Sequence, residues 1–64
     1  MSTTRIIKSL RELHDLTQEQ IAQKLGISKQ AYFKKENGIT EFTISEAKNL
    51  SEIFGKSVEE IFFC

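Results

Sequence analysis

The side chains best suited to contact a ligand lie in one short segment, SKQAYFKKEN, which runs from residue 28 to residue 37. On a helix that begins after Ser28, residues three and four apart share a face, so five side chains form one outward surface. These are Lys29, Gln30, Phe33, Lys34 and Asn37. Lysine can donate hydrogen bonds to O6 and N7 of guanine, and glutamine can pair with N6 and N7 of adenine. The surface therefore carries side-chain types that suit the edges of bases.

Catalytic chemistry has little support in the remaining residues. The chain holds a single histidine, His14, and a single cysteine, Cys64, which is the last residue. An enzyme needs a nucleophile with its base, a pair of carboxylates or a set of metal ligands, and scattered glutamates supply none of these. We therefore expect no enzyme activity, no metal, no cofactor and no small-molecule ligand, and we assign no role to the terminal thiol.

The length of 64 residues predicts a single small domain over residues 1–64. The chain begins without a long apolar stretch, so neither a signal peptide nor a membrane span is expected. With one cysteine and no disulfide framework, a reducing, cytoplasmic setting is the default.

A zero net charge conceals an uneven distribution. Residues 1–35 contain seven cations and three anions, a balance of +4, whereas residues 36–64 contain two cations and six glutamates, a balance of −4. Such a division indicates one surface for a polyanion and another that keeps the protein soluble, although chance scatter of solvated charge would give the same numbers.

Apolar spacing and capping residues predict an all-α fold of five helices. The first helix is expected from about Thr4 to His14, with Arg11 on its outside. Capping boxes are expected at the pairs Thr17 and Gln20, Thr43 and Glu46, and Ser57 and Glu60, while Ser28 caps the third helix.

Helices two and three, at about residues 17–37, fit a helix-turn-helix. Ala22 is small enough for a close helix crossing, and Gly26 can adopt the left-handed turn. The apolar residues needed to fix the crossing angle are Ile21, Leu25, Ile27 and Tyr32. Such a unit can place its second helix in the DNA major groove; a generic αα-hairpin would need only the turn.

These residues resemble a known family. The stretch LTQEQIAQKLGISKQAYFKKENG is similar to the helix-turn-helix of Cro and the lambda-type phage repressors, a family also named for the xenobiotic response element. RIIKSLRELHDLTQ resembles its first helix, and TISEAKNLSEIFGKSVEEIF its fourth and fifth. The resemblance covers residues 5–62. It implies a compact five-helix, lambda-repressor-like domain that binds operator DNA as a dimer and represses phage, prophage or host genes.

The same resemblance assigns roles to individual residues. It places the base-reading positions on Lys29, Gln30 and Lys34. Phe33 stands where the family usually has a small polar residue, and it could either touch a thymine methyl or fold back over the domain. The phosphate contacts implied by the resemblance fall on Gln18, Ser28 and Asn37, and Gln18 lies at a helix N-terminus, which favours anions.

The chain departs from the family pattern at Lys35 and in the linker after Asn37. An apolar residue is usual at position 35, so we expect Lys35 to bury only its aliphatic stem and Lys35→Leu to raise the melting temperature. Ile39 stands where the family often has a basic residue, and Glu41 adds a negative charge. We therefore expect the phosphate contact usual for this loop to be weak and the affinity for DNA to be modest.

Two questions about partners stay open at the level of sequence. The neutral overall charge leaves room for a protein-interaction module on the same fold, such as an antitoxin, an antirepressor or a partner-binding regulator. A regulator that reads a palindromic operator needs two half-sites and hence a homodimer. Phe63 is either a dimer contact or the last residue of the core.

Overall fold

The computed structural model describes residues 3–63, and these form five helices with no strand among them. The helices are α1 (Thr3–Leu13), α2 (Gln18–Leu25), α3 (Lys29–Glu36), α4 (Ile44–Phe54) and α5 (Val58–Phe62). The prediction of an all-α, five-helix fold is confirmed. No helix in the described part of the chain has the length and apolar character needed to cross a bilayer. Cys64 lies outside the described residues.

Four of these helices begin at the capping residues that the sequence predicted. At the start of α2, the Thr17 hydroxyl accepts a hydrogen bond from the Gln20 backbone N–H at 3.1 Å, and the Gln20 side chain accepts one from the Thr17 N–H at 2.8 Å. The same reciprocal pair opens α4 at Thr43 and α5 at Ser57. Each cap satisfies backbone donors that a helix start leaves without intrahelical partners.

The turn between α2 and α3 is built on Gly26. Its φ of +73° lies in the left-handed region, where a side chain would be strained. The following residue, Ile27, donates its N–H to the carbonyl of Ala22 at 3.0 Å and packs against the core. This hydrogen bond closes the end of α2 and turns the chain directly into the cap of α3.

One apolar cluster holds the helices together. Its buried members are Ile7, Ile21, Ala22, Leu25, Tyr32, Leu50, Phe54 and Ile61. The linker residue Phe42 bridges α3 and α5, because its ring lies 6.1 Å from the Tyr32 ring and 5.9 Å from the Phe62 ring. The prediction that Tyr32 is a core residue is therefore confirmed.

Some side chains lie elsewhere than the sequence indicated. Arg11, expected on the outside of α1, is half-buried and hydrogen-bonded within the fold. Phe63 is 78% exposed, so it does not complete the core. Leu13 and Ile44, at the end of α1 and the start of α4, are exposed to a similar degree.

Candidate nucleic-acid interface

The outward surface of α3 begins at its cap. The Ser28 hydroxyl accepts a hydrogen bond from the Ala31 N–H at 3.1 Å, which fixes the first turn of the helix. Lys29, Gln30 and Lys34 follow as exposed side chains, and no hydrogen bond or ion pair joins any of them to another of residues 3–63. Their donor groups are therefore available to an external partner.

Phe33 lies on the same outward surface. Its side chain is exposed to 48%, so the ring does not fold back into the core. An exposed aromatic ring among polar neighbours is an apolar contact point in the middle of the surface.

The inward side of α3 is anchored by a buried carboxylate. Glu36 is fully buried, and its Oε2 accepts hydrogen bonds from the Arg11 Nε at 2.8 Å and from the Tyr32 hydroxyl at 2.7 Å. Its Oε1 accepts one from the Gln18 Nε2 at 2.9 Å. Arg11 also donates from Nη1 to the Leu16 carbonyl at 2.9 Å. This network, which we call the Glu36 cluster, joins α1, α2 and α3.

Ionisation in the Glu36 cluster follows from its contacts. Burial works against the charged form of Glu36, but the hydrogen bonds from Arg11, Gln18 and Tyr32 outweigh it and lower the pKa of this carboxyl. The hydrogen bond to Glu36 raises the pKa of Arg11, and burial together with the same carboxylate raises the pKa of the Tyr32 hydroxyl. Glu36 is therefore a carboxylate, Arg11 a cation and Tyr32 a neutral donor at neutral pH.

The sequence reasoning missed the Glu36 cluster. A signal was present: Glu36 follows Tyr32 by four residues, so both must lie on the same side of α3, and Tyr32 was predicted to be buried. A glutamate on that side requires a cationic or hydrogen-bonding partner.

Lys35 is also paired, with a partner on another helix. Its Nζ lies 2.7 Å from the Glu46 Oε1, and the two side chains are only 14% and 10% exposed. The Nζ also lies 6.0 Å from the centre of the Phe42 ring. The expectation for Lys35→Leu assumed an unpaired ammonium, and that premise is wrong.

The sequence profile of the helix-turn-helix family matches residues 7–61. The chain belongs to this helix-turn-helix family. It is a family of Cro- and repressor-type DNA-binding regulators and not of enzymes.

A relative from Methanocaldococcus jannaschii, named as an uncharacterized HTH-type transcriptional regulator, is 39% identical over 56 residues. The aligned part makes up 88% of this chain and 85% of the relative. No solved structure matches the chain.

Within this helix-turn-helix, the three residues predicted to contact phosphate lie in different settings. Ser28 and Asn37 are exposed at the two ends of α3, and the Asn37 Nδ2 donates to the Phe33 carbonyl at 2.8 Å. Gln18 is half-buried, and one of its amide protons is held by Glu36. Gln18 lines a shallow depression that Lys29 shares with three carboxylates, those of Glu12, Asp15 and Glu19. The carboxylates oppose an anion at this point of the surface.

Proposed function

We propose that the chain is a sequence-specific regulator of transcription that binds double-stranded DNA, of the phage, prophage or bacterial repressor type. Its helix α3 would enter the major groove. The observation that carries the proposal is the contrast within α3. The side chains of Lys29, Gln30 and Lys34 are exposed and have no partner among the described residues, while the Glu36 cluster holds the inward side of the helix. A rigid helix with unoccupied donors is what direct base readout requires.

The proposed roles divide between bases and backbone. Lys29 and Lys34 would donate to guanine, Gln30 would pair with adenine, and Phe33 would touch a thymine methyl. Gln18, Ser28 and Asn37 are proposed to contact phosphate. Ser28 suits this role because its oxygen already accepts the capping hydrogen bond, which leaves the hydroxyl proton to donate outward.

We also propose that the protein binds a palindromic operator as a homodimer. The two copies would contact each other through an apolar groove. The groove has a volume of about 640 Å³ and is lined by the start of α1, the linker between α3 and α4, α4 and α5. Its apolar lining includes Phe42, Ile44, Val58, Phe62 and Phe63. A two-fold contact needs one patch that complements itself. The exposed side chains of Ile44 and Phe63 stand beside a recess that could receive their counterparts.

Charge and position agree with a second copy as the occupant. Glu41 and Lys48 both line the groove, are both exposed and have opposite charge, so they can pair across a two-fold axis. Lys35 and Gly38, at the C-terminal end of α3, line it as well. A dimer formed there would leave the outward surface of both α3 helices uncovered.

The proposed location is the cytoplasm of a bacterial or phage-infected cell, and the proposed unit is one domain over residues 1–64.

Selection of bound sites from random duplexes, followed by a salt series, tests the DNA role. Groove binding should select a two-fold symmetric site, and log K should fall linearly with log salt, with a slope of about −0.9 per phosphate contacted. For a dimer we expect roughly four to eight such contacts. A protein that selects no duplex would contradict the proposal and favour the interaction module.

Two matched variants test the dimer surface by sedimentation in the presence of the selected site. Phe63→Asp should prevent the second protomer from joining, because a carboxylate would have to be buried in an apolar contact. Leu13→Asp is the control, since Leu13 is 77% exposed against 78% for Phe63 but does not line the groove. Equal behaviour of the two variants would contradict the groove as the contact.

A further inference from the structure

The ion pair between Lys35 and Glu46 connects the last turn of α3 to the first turn of α4. The Glu46 Oε1 receives both the Lys35 ammonium at 2.7 Å and the Thr43 backbone N–H at 2.9 Å. Burial opposes the charged form of Glu46, but the hydrogen bonds from Lys35 and Thr43 outweigh it and lower the pKa of the carboxyl. One oxygen thus caps α4 and holds α3 at the same time.

Two adjacent residues attach the end of α3 to different helices. Glu36 reaches Arg11 on α1 and Gln18 on α2, whereas Lys35 reaches Glu46 on α4. The first link places α3 within the helix-turn-helix. The second places it relative to α4, and Lys35 itself lines the groove between the linker, α4 and α5.

We propose that Lys35 and Glu46 are positioning residues that set the orientation of α3 relative to the groove. The inference rests on the proposed function, because it takes α3 as the DNA-reading helix and the groove as the contact between protomers. The pair then fixes how far apart, and at what angle, two α3 helices meet one operator.

The geometry of a two-fold dimer makes this orientation matter. Half-sites lie about 34 Å apart, one turn of DNA, and the longest extent of the described chain is 26 Å. Each half-site therefore needs its own protomer. Any rotation of α3 against the groove is repeated by the symmetry axis in the other protomer, so its error appears at both half-sites. A charge-assisted hydrogen bond is directional and resists that rotation better than an apolar contact, which tolerates sliding.

The chain itself supplies the variant that removes the ion pair and keeps the cap. In α2 the capping position is held by Gln20, whose Oε1 accepts the Thr17 N–H in the way that Glu46 accepts the Thr43 N–H. Glu46→Gln should therefore retain the start of α4 and lose only the attraction to Lys35. Lys35→Met is its counterpart, because it keeps an unbranched apolar stem beside Phe42.

The two variants change the net charge in opposite directions. Lys35→Met removes a positive charge, and Glu46→Gln removes a negative one. A general electrostatic effect on DNA binding would weaken one variant and strengthen the other. Loss of a positioning contact would change both in the same direction, which separates the two explanations.

The experiment measures affinity for three duplexes derived from the site selected by the wild-type protein. The first is the complete palindrome, the second a single half-site, and the third a palindrome with one base pair inserted at its centre. For both variants we expect affinity for the palindrome to fall about tenfold relative to wild type, a difference of 1.4 kcal/mol. Affinity for the half-site should change by no more than the charge effect, and discrimination against the inserted base pair should weaken.

Controls keep the result interpretable. Glu60→Gln alters the corresponding capping residue of α5 and should leave spacing discrimination unchanged. Lys35→Arg keeps the positive charge and a donor for the Glu46 carboxylate, so it should retain spacing discrimination. Affinities are measured at temperatures below the melting transition of every variant. If one of the single variants is unfolded, the double variant Lys35→Met with Glu46→Gln is measured in its place.

The outcomes separate the two proposals. Failure of the wild-type protein to select any duplex overturns the proposed function and this inference with it. If the wild type selects a duplex, two results would overturn the positioning role alone. The first is that the variants keep full spacing discrimination, and the second is that they lose affinity for the palindrome and the half-site equally.

Discussion

The two sides of α3 carry similar residue types in opposite circumstances. Lys34, on the outward surface, is exposed, and its side-chain ammonium has no partner among residues 3–63. Its neighbour Lys35, on the inward side, is held by Glu46, and Glu36 next to it is fully buried among three donors. Within the eight residues of α3, neighbouring side chains therefore differ in role: some attach the helix to the rest of the fold, and others are available to an external partner.

This contrast gives a rule for substitutions. Changes on the inward side should alter the free energy of unfolding, and at Lys35 also the orientation in which α3 meets DNA. Changes on the outward surface should alter affinity and leave the fold intact.

Glu36→Leu should have the largest effect. It leaves the half-buried Arg11 guanidinium and the buried Tyr32 hydroxyl without their acceptor, and breaking such a pair lowers the free energy of unfolding by about 3–5 kcal/mol. Thermal and urea unfolding measure it, and Glu52→Gln on the exposed surface of α4 is the control. A loss below about 1 kcal/mol would show that the Glu36 cluster does not anchor α3.

The same carboxylate predicts a pH dependence. Because the pKa of Glu36 is lower in the folded chain than its ordinary value of 4.5, its contribution to stability is present above about pH 4.5 and is lost as the pH falls through the folded pKa. The protein should therefore lose stability on acidification below that point. Glu36→Gln should make this acidic decline shallower, and an unchanged slope would argue against the hydrogen-bonded carboxylate.

Lys34→Ala should weaken binding to the selected operator by about 1–3 kcal/mol, the worth of a good base contact. Stability should change by no more than about 0.5 kcal/mol, because the side chain is exposed. Competition against random DNA decides the role: an equal loss on both would make Lys34 a phosphate contact. Lys56→Ala, at the far end of the chain just before α5, provides the charge control.

Lys35→Leu should lower the melting temperature, the reverse of the expectation from sequence. Leaving the mostly buried Glu46 without its cation costs about 3 kcal/mol, and burial of the new leucine recovers about 1–2. A net loss of about 1–2 kcal/mol follows. Adding Glu46→Gln to this variant should return part of the loss, and a melting temperature above that of wild type would restore the original expectation.

Phe33 should show the smallest effect. If its exposed ring meets a thymine methyl, replacing that thymine with uracil should weaken wild-type binding by up to about 0.8 kcal/mol, the value of one buried methylene-sized group. The Phe33→Ser protein should be indifferent to the same replacement. Equal sensitivity in both proteins would remove Phe33 from the base contacts.

The sequence predicted those parts of the fold that depend on neighbouring residues. Thr17, Ser28, Thr43 and Ser57 begin their helices because each cap needs only a partner three residues away. Gly26 ends α2 because glycine adopts a positive φ without steric strain, whatever its neighbours are. The outward surface of α3 was predictable because the helical repeat alone decides it.

The anchoring side was not predictable in the same way. Arg11 and Glu36 are 25 residues apart, and Lys35 and Glu46 are 11 apart, so their pairing depends on how the helices pack. A charge count treats all of these side chains as solvated, and the balance of residues 1–35 therefore overstated the cations available to DNA. Arg11 and Lys35 are both engaged in ion pairs within the protein.

The side-chain caps have a consequence for how quickly the protein reaches this fold. Each of the four capped helices has its starting point encoded locally, so helix initiation does not wait for distant segments to meet. Domains dominated by contacts between nearby residues fold in microseconds to milliseconds. The chain contains no proline, so slow peptide-bond isomerisation is absent from the pathway. Refolding from urea should therefore be complete within a single rapid phase.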